Sequence, residues 1–221
     1  MKKGRLISLE GIDGVGKTSC ASYLCNQLNS SSKDFIYINR KEIPTTNNYI
    51  KLHMEYLYAI MWGQGDVFSQ APNTPYNGFN CEHWRHLMIA WYSAFEQHVI
   101  FPVLEKGISV ITDGYVHKEI AKAIHSTKDF KTATQFDFLY KPDLIFYLTA
   151  SPEDCIRDDS NENRVESGAF SDLRNNFIEH QYMMKDIYDN LATECNWIVI
   201  NRNQNIEITC KDIIKTISSE V

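Results

Sequence analysis

The sequence predicts an α/β protein in which a five-stranded parallel sheet is covered by helices on both faces. Three observations predict this fold class. Apolar, β-prone runs alternate five times with helix-compatible segments, no linker separates any of these units, and the first run leads through a glycine-rich loop into a helix. Such alternation favours parallel strands joined by right-handed crossovers. We therefore expect a single domain spanning residues 1–221.

The elements follow from the hydrophobic pattern along the chain. The predicted strands are residues 6–9, 35–38, 108–112, 144–148 and 197–200. The predicted helices are residues 19–28, 49–61, 81–104, 116–140 in two pieces, 171–192 and 206–217. Residues 63–80 are rich in Gly, Pro and Asn and predict a surface loop, whereas the polar residues 157–168 predict a mobile flap.

The glycine-rich loop between the first strand and the first helix predicts a phosphate-binding site. Residues 11–18 have the pattern Gly-x-x-x-x-Gly-Lys-Thr, and the order of strand, loop and helix is the context that this motif requires. Its glycines let backbone N–H groups point at an anion, and the helix adds the positive end of its dipole. The predicted ATP-binding residues are Gly11, Ile12, Asp13, Gly14, Val15, Gly16, Lys17, Thr18 and Ser19.

Two further polar positions follow predicted strands and should therefore lie near this loop. Asp113 follows the third strand, where an acid can hold magnesium or its water shell, and we predict Thr18 and Asp113 as the Mg²⁺ ligands. A simple turn residue is the alternative for Asp113. Arg40 follows the second strand and faces either the ligand crevice or solvent.

Composition excludes several classes of function. A formal net charge of −6 argues against bulk nucleic-acid binding. No apolar run approaches the roughly 20 residues needed to span a bilayer, and the histidines form no cluster spaced for zinc. The six cysteines contain no Cys-x-x-Cys pair and no apolar leader is evident, so we expect reduced thiols in a cytoplasmic protein.

Residues 142–153 contain Pro-Asp-Leu and Pro-Glu on either side of a predicted strand, and residues 163–166 read Asn-Arg-Val-Glu. With the loop at residues 10–18, these motifs resemble the Pro-Asp-Leu and Pro-Glu signature, the lid motif and the phosphate loop of the thymidylate kinase family of nucleoside monophosphate kinases, and the resemblance covers nearly the whole sequence. The resemblance implies a P-loop kinase fold with a short lid at about 157–170. It also implies that Lys17, Arg157 and Arg164 bracket the transferred phosphoryl group, while Asp13 lies near the acceptor or the metal.

The acceptor side departs from the family pattern. The family has an arginine between the residues matched by Asp113 and Tyr115, where this sequence has Gly114. A helix arginine of the family is replaced by Tyr92, and the aromatic residue that stacks on thymine is replaced by Met88. Neither glycine nor tyrosine can replace an arginine guanidinium where bidentate phosphate binding is required. The acceptor residues implied are therefore Arg40, Arg85, Met88, Tyr92, Asp113 and Tyr115, with both arginines as candidate replacements.

Three hypotheses are compatible with these observations. The first is an ATP- and Mg²⁺-dependent phosphotransferase that acts on a nucleotide or another small-molecule acceptor. The second is a nucleotide-dependent switch or regulatory ATPase, and the third is a non-catalytic relative that keeps the fold. The family resemblance also implies a homodimer, for which the stripe of Trp84, Trp91 and Phe95 offers a surface, although core packing explains this stripe as well.

Overall fold

The computed structural model describes residues 3–30, 34–40, 43–62, 79–156, 173–202 and 205–220. The fold is α/β, with one sheet of five strands whose pairs are all parallel, as predicted. The strands are β1 (Leu6–Glu10), β2 (Phe35–Tyr37), β3 (Ser109–Thr112), β4 (Leu144–Thr149) and β5 (Ile198–Asn201). Their order across the sheet is β2-β3-β1-β4-β5, so β1 is central.

Seven α-helices connect and flank the strands in the described part of the chain. They are α1 (Lys17–Ser30), α2 (Asn48–Trp62), α3 (Cys81–Phe95), α4 (Phe101–Leu104), α5 (His117–Thr127), α6 (Leu173–Glu194) and α7 (Ile206–Glu220). Every residue of β1 and of β3 is buried. Because successive side chains of a strand point to opposite faces, the sheet is covered on both faces.

The predicted helix over 81–104 is continuous but changes its winding. Between α3 and α4, residues Glu96–Ile100 form a π-helical segment. Pro102 lacks the N–H that would donate to the preceding turn, which favours an irregularity at this point. The wider turn places the buried Glu96 where its Oε1 atom accepts hydrogen bonds from the hydroxyl of Tyr115 and from the backbone N–H of Tyr140.

The aromatic stripe of this helix belongs to the core of the chain. Trp84, Trp91 and Phe95 are all buried, and the rings of Trp91 and Phe95 stack with centroids 4.8 Å apart. The stripe is therefore not available as a dimer surface.

Two predicted segments fall largely or wholly outside the described residues: positions 63–78 of the predicted surface loop and the predicted flap at 157–168. In the described part of the chain, no helix combines the length and the apolar character needed to cross a membrane.

Candidate active site

The glycine-rich loop lies at the carboxyl end of β1, between the ends of β3 and β4. Ile12 and Val15 are buried and anchor the loop in the core, so they would meet a ligand through their backbone rather than their side chains. Gly14 has a φ of +80°, and a Cβ atom built on it would lie 2.0 Å from the carbonyl oxygen of Cys155. Only glycine fits this contact between the loop and the turn after β4.

Lys17 begins α1, and its ammonium group folds over the loop. Its Nζ atom donates hydrogen bonds to the carbonyl oxygens of Gly11 at 2.7 Å and Ile12 at 2.8 Å, and it lies 4.0 Å from Oδ1 of Asp13. Burial lowers the pKa of Lys17, and the carboxylate of Asp13 opposes this effect. A phosphate group placed at this ammonium would restore the charge stabilisation that burial removes.

Asp13 forms an ion pair that the sequence analysis did not predict. Both of its carboxylate oxygens accept hydrogen bonds from Nζ of Lys118, at 2.7 and 2.9 Å. Burial by itself would raise the pKa of Asp13, but Lys118 and then Lys17 outweigh burial and hold this pKa well below its usual range. The sequence analysis does not name Lys118. Lys118 lies in the first turn of α5, directly after the turn that carries Asp113. This position in the sequence is the feature from which its role could have been predicted.

Thr18 and Asp113, the two predicted metal ligands, are brought together. The Thr18 hydroxyl donates a hydrogen bond to Oδ2 of Asp113 with a length of 2.6 Å. Among the described residues, no group of three or more His, Cys, Asp or Glu side chains could hold a metal ion by itself. Magnesium commonly takes one or two protein oxygens and completes its shell with phosphates and water, so this pair fits that ion.

A buried network joins the end of β1 to the segment after β3. The fully buried Glu10 accepts hydrogen bonds through Oε1 from the backbone N–H of Tyr115 at 3.0 Å and lies 2.9 Å from Nδ1 of His117. Burial by itself would raise the pKa of Glu10, but His117 and the hydrogen bonds lower it. His117 is buried and fixes the turn that carries Asp113.

Two of the predicted acceptor residues lie in the core instead of lining the crevice. Tyr92 is 1% exposed and its hydroxyl donates to the backbone oxygen of Tyr115 at 3.0 Å. Tyr115 is fully buried, and its hydroxyl donates to Glu96. Both side chains therefore support the turn after β3 and have no free hydroxyl for a ligand.

The remaining acceptor candidates lie around the crevice between α2, α3 and α5. Arg40 reaches Glu119, with its Nη1 atom 3.6 Å from Oε1, and its guanidinium lies 5.0 Å from the centre of the Trp62 ring. Arg85 and Met88 line a cavity of about 170 Å³ between α3 and α5. Gly114 has a φ of +119°, a conformation that side chains with a Cβ rarely adopt.

The two predicted lid arginines, Arg157 and Arg164, lie outside the described residues. The structure thus brings together Asp13, Lys17, Thr18 and Asp113 at one end of the sheet. It places Arg40 at Glu119, and Arg85 and Met88 in the cavity between α3 and α5.

Comparison with known proteins points to one family. No protein-family model matches the chain. The probable thymidylate kinase 2 of Saccharolobus solfataricus is 26% identical over 229 residues, covering 99% of this chain and 98% of that protein. The thymidylate kinase of Dictyostelium discoideum is 24% identical and covers 100% and 87%, and that of Brachyspira hyodysenteriae is 27% identical and covers 97% and 94%.

Proposed function

Because the chain belongs to the thymidylate kinase family, we propose that it transfers the γ-phosphoryl group of ATP to a nucleoside monophosphate or a related small-molecule acceptor. The observation that carries this proposal is the convergence of Lys17 with the hydrogen-bonded pair of Thr18 and Asp113 at the carboxyl end of β1. In open α/β sheets, ligands bind at this end of the strands.

Phosphoryl transfer depends on positioning and on neutralising charge. The loop's backbone N–H groups and the N-terminus of α1 bind the phosphate chain. Lys17 exchanges its hydrogen bonds to Gly11 and Ile12 for bonds to the outer phosphates. Thr18 and Asp113 would hold Mg²⁺, which neutralises phosphate charge when it is bound. Arg157 and Arg164 remain our candidates for the groups that close over the transferred phosphoryl.

Asp13 has a positioning role in this proposal. Its carboxylate holds Lys118 in place through two hydrogen bonds, and its backbone N–H donates to Oε1 of Gln181 at 3.0 Å. These contacts tie the loop to α5 and α6. Lys118 thereby adds a second ammonium group near Lys17, since both lie within 4.0 Å of the Asp13 carboxylate.

A different acceptor is the second candidate. Gly114 and the buried Tyr92 occupy positions where the family has arginines, so an acceptor without a phosphate, or a binding protein without transfer activity, is the alternative. Acceptor-stimulated release of ADP separates the alternatives. A folded sample that binds magnesium ATP but releases no ADP with any monophosphate, nucleoside or acid would support the non-catalytic alternative, and steady hydrolysis without an acceptor would support a switch.

The central test is the Lys17→Ala variant. Removing the ammonium should lower turnover by about a hundredfold or more, the effect typical of deleting one charge-stabilising group, while the unfolding temperature stays nearly unchanged. Lys51→Ala is the matched control, because Lys51 is exposed on α2 and pairs only with Glu55 among the described residues. Wild-type turnover in Lys17→Ala would disprove the role of Lys17.

Two further parts of the proposal concern the state of the protein in the cell. We infer a cytoplasmic location, which the six free cysteines support.

We also infer a homodimer. Because the α3 stripe is buried, the face of α2 that carries Tyr49, Leu52, Tyr56 and Ile60 is our candidate surface. These four side chains are 40–78% exposed and recur at intervals of three and four residues.

A further inference from the structure

Two histidines and a methionine come together where α5 packs on α6. His125 lies in the last turn of α5, whereas His180 and Met183 belong to α6. The Nε2 atom of His125 lies 3.4 Å from the Sδ atom of Met183, and the ring centroids of His125 and His180 are 5.7 Å apart. His180 and Met183 are three residues apart and so share one face of α6. The three side chains therefore form one cluster across the two helices.

The spacing within this cluster is that of ligands to one metal ion. Two donor atoms bound at about 2.0 and 2.3 Å to a tetrahedral ion are roughly 3.5 Å apart, and two imidazole rings bound to it have centroids roughly 5–6 Å apart. The distance of 3.4 Å between Nε2 and Sδ and that of 5.7 Å between the rings agree with these values. Binding an ion between the three side chains thus requires no large change in their spacing.

The donor types indicate which metal the cluster suits. Imidazole nitrogen binds several transition metals, whereas a thioether sulfur is a soft ligand that favours monovalent copper. Zinc takes three or four ligands from His, Cys, Asp and Glu, and among the described residues no group of three or more such side chains could hold an ion. Two histidines with one methionine therefore point to Cu⁺ rather than to Zn²⁺.

The charges around the cluster also favour a monovalent ion. Burial lowers the pKa of both histidines, and lysine side chains lower it further, Lys128 at His125 and Lys122 at His180. Both rings are therefore neutral at neutral pH, and neutral imidazole is the form that binds a metal. Repulsion between an ion and the ammonium groups grows with the charge of the ion, so a divalent ion is disfavoured more than Cu⁺.

We propose that His125, His180 and Met183 form a binding site for monovalent copper that joins α5 to α6. The side chains supply two nitrogen donors and one sulfur donor. Solvent reaches the site, because both histidines are half-buried and Met183 is 42% exposed. The site does not depend on phosphoryl transfer, so the two can be tested separately.

The two helices that carry this site also hold the phosphate loop. Gln181, which directly follows His180, accepts a hydrogen bond from the backbone N–H of Asp13 at 3.0 Å. On α5, Lys118 binds the carboxylate of Asp13. Copper bound between α5 and α6 therefore ties together the two helices that position Asp13.

Competition with a chromogenic Cu⁺ chelator, without oxygen and with ascorbate, measures the affinity. Because thiols also bind Cu⁺, the starting protein carries Cys81→Ser and Cys195→Ser, which remove the two exposed cysteines. We expect it to bind one equivalent of Cu⁺ at the site. His180→Gln and Met183→Leu should each weaken binding at least about tenfold, since losing even a group that supports a metal ligand costs about ten- to a hundredfold.

X-ray absorption at the copper edge identifies the sulfur ligand. In protein labelled with selenomethionine, copper bound by a methionine has a selenium neighbour, which no cysteine can supply. We expect this Cu–Se signal in the starting protein and its loss in Met183→Leu. His53→Gln is the matched control for His180→Gln, because His53 is exposed on α2 and stacks on Tyr49. This control should keep both the affinity and the signal.

Thermal unfolding separates binding from folding. Without copper, Met183→Leu should unfold at nearly the same temperature as the starting protein, because Met183 is partly exposed. With saturating Cu⁺ the starting protein should unfold at the higher temperature, since a ligand of the folded state stabilises it. Copper held by the remaining thiols of the unfolded chain affects both proteins alike.

Three results would overturn the copper site. They are equal Cu⁺ affinity in the starting protein, His180→Gln and Met183→Leu, the absence of a Cu–Se signal, and tighter binding of Zn²⁺ than of Cu⁺. The first two would leave copper bound by cysteines alone, and the third would deny the thioether its role. The proposed phosphoryl transfer would stand in each case.

Discussion

At the scale of single residues, Asp113 has the most sharply testable role, because its carboxylate already accepts a hydrogen bond from the Thr18 hydroxyl. Asp113→Asn keeps an acceptor for Thr18 but removes one negative charge. At an effective dielectric constant of about 20, a charge pair at about 4 Å is worth roughly 4 kcal/mol. We therefore expect the Mg²⁺ concentration for half-maximal activity to rise at least about tenfold, with stability nearly unchanged.

Titration of activity against Mg²⁺ measures this effect. Asp137→Asn serves as the control, because Asp137 is exposed and pairs with Lys141 far from the loop. An unchanged magnesium requirement in Asp113→Asn would show that this carboxylate does not hold the ion.

The site residues that could be predicted from sequence are those that belong to a short motif or directly follow a predicted strand. Lys17 and Thr18 belong to a motif of eight residues, and Asp113 directly follows an apolar strand. Lys118 is different, since its partner Asp13 lies 105 residues away. His117 and its partner Glu10 are 107 residues apart. A contact of that kind arises from the packing of α5 on the sheet, which no local pattern records.

At the scale of elements, the helix over 81–104 was predicted correctly in extent but not in winding. The periodicity of apolar residues locates a helix whichever turn it uses. The π-helical segment at Glu96–Ile100 depends on more than this pattern, because Glu96 is bound by Tyr115 and Tyr140, which lie on other elements. Long-range hydrogen bonds of this sort are invisible to a periodicity argument.

The buried Glu96 makes the stability of this segment depend on pH. Burial raises the pKa of Glu96, and the hydrogen bond from Tyr115 only partly opposes this. The folded protein then holds a proton that the unfolded chain releases, so the contribution of Glu96 to stability is largest at acidic pH and is lost as pH rises through the raised pKa. Glu96→Gln keeps an acceptor for Tyr115 and Tyr140 and has no proton to lose.

We therefore expect the free energy of unfolding of the wild type to fall relative to that of Glu96→Gln as pH rises from below the carboxyl group's usual range towards neutrality. Urea titrations at a series of pH values give this difference directly. Glu105→Gln, beyond the end of α4 and exposed, is the control. A difference that is constant or grows with pH would contradict the assignment.

At the scale of the whole molecule, the order of the strands in the sheet determines which loops meet at the site. Local sequence patterns do not reveal this order. The alternation of elements predicted five parallel strands, but only the order β2-β3-β1-β4-β5 shows that the turn carrying Asp113 adjoins the phosphate loop.

The net charge of −6 likewise concerns the molecule as a whole. At the loop, the ammonium groups of Lys17 and Lys118 both lie within 4.0 Å of Asp13, so an anionic ligand can meet cations there despite the overall charge.

The homodimer proposed above is tested by placing a charge on the exposed apolar face of α2. Leu52 is 53% exposed, so Leu52→Glu should leave the folded monomer intact. In a dimer that covers this face, the new carboxylate would lose water without gaining a partner, which is costly. We expect the dimer dissociation constant, measured by sedimentation equilibrium, to rise at least about tenfold.

Lys51→Glu is the matched control for this experiment, because it introduces the same side chain one residue away and off the Tyr49, Leu52, Tyr56 and Ile60 face. It should leave the dissociation constant within a few-fold of the wild-type value. A wild-type protein that sediments as a monomer at all accessible concentrations would reject the homodimer. A dimer that tolerates Leu52→Glu as well as it tolerates Lys51→Glu would move the interface away from α2.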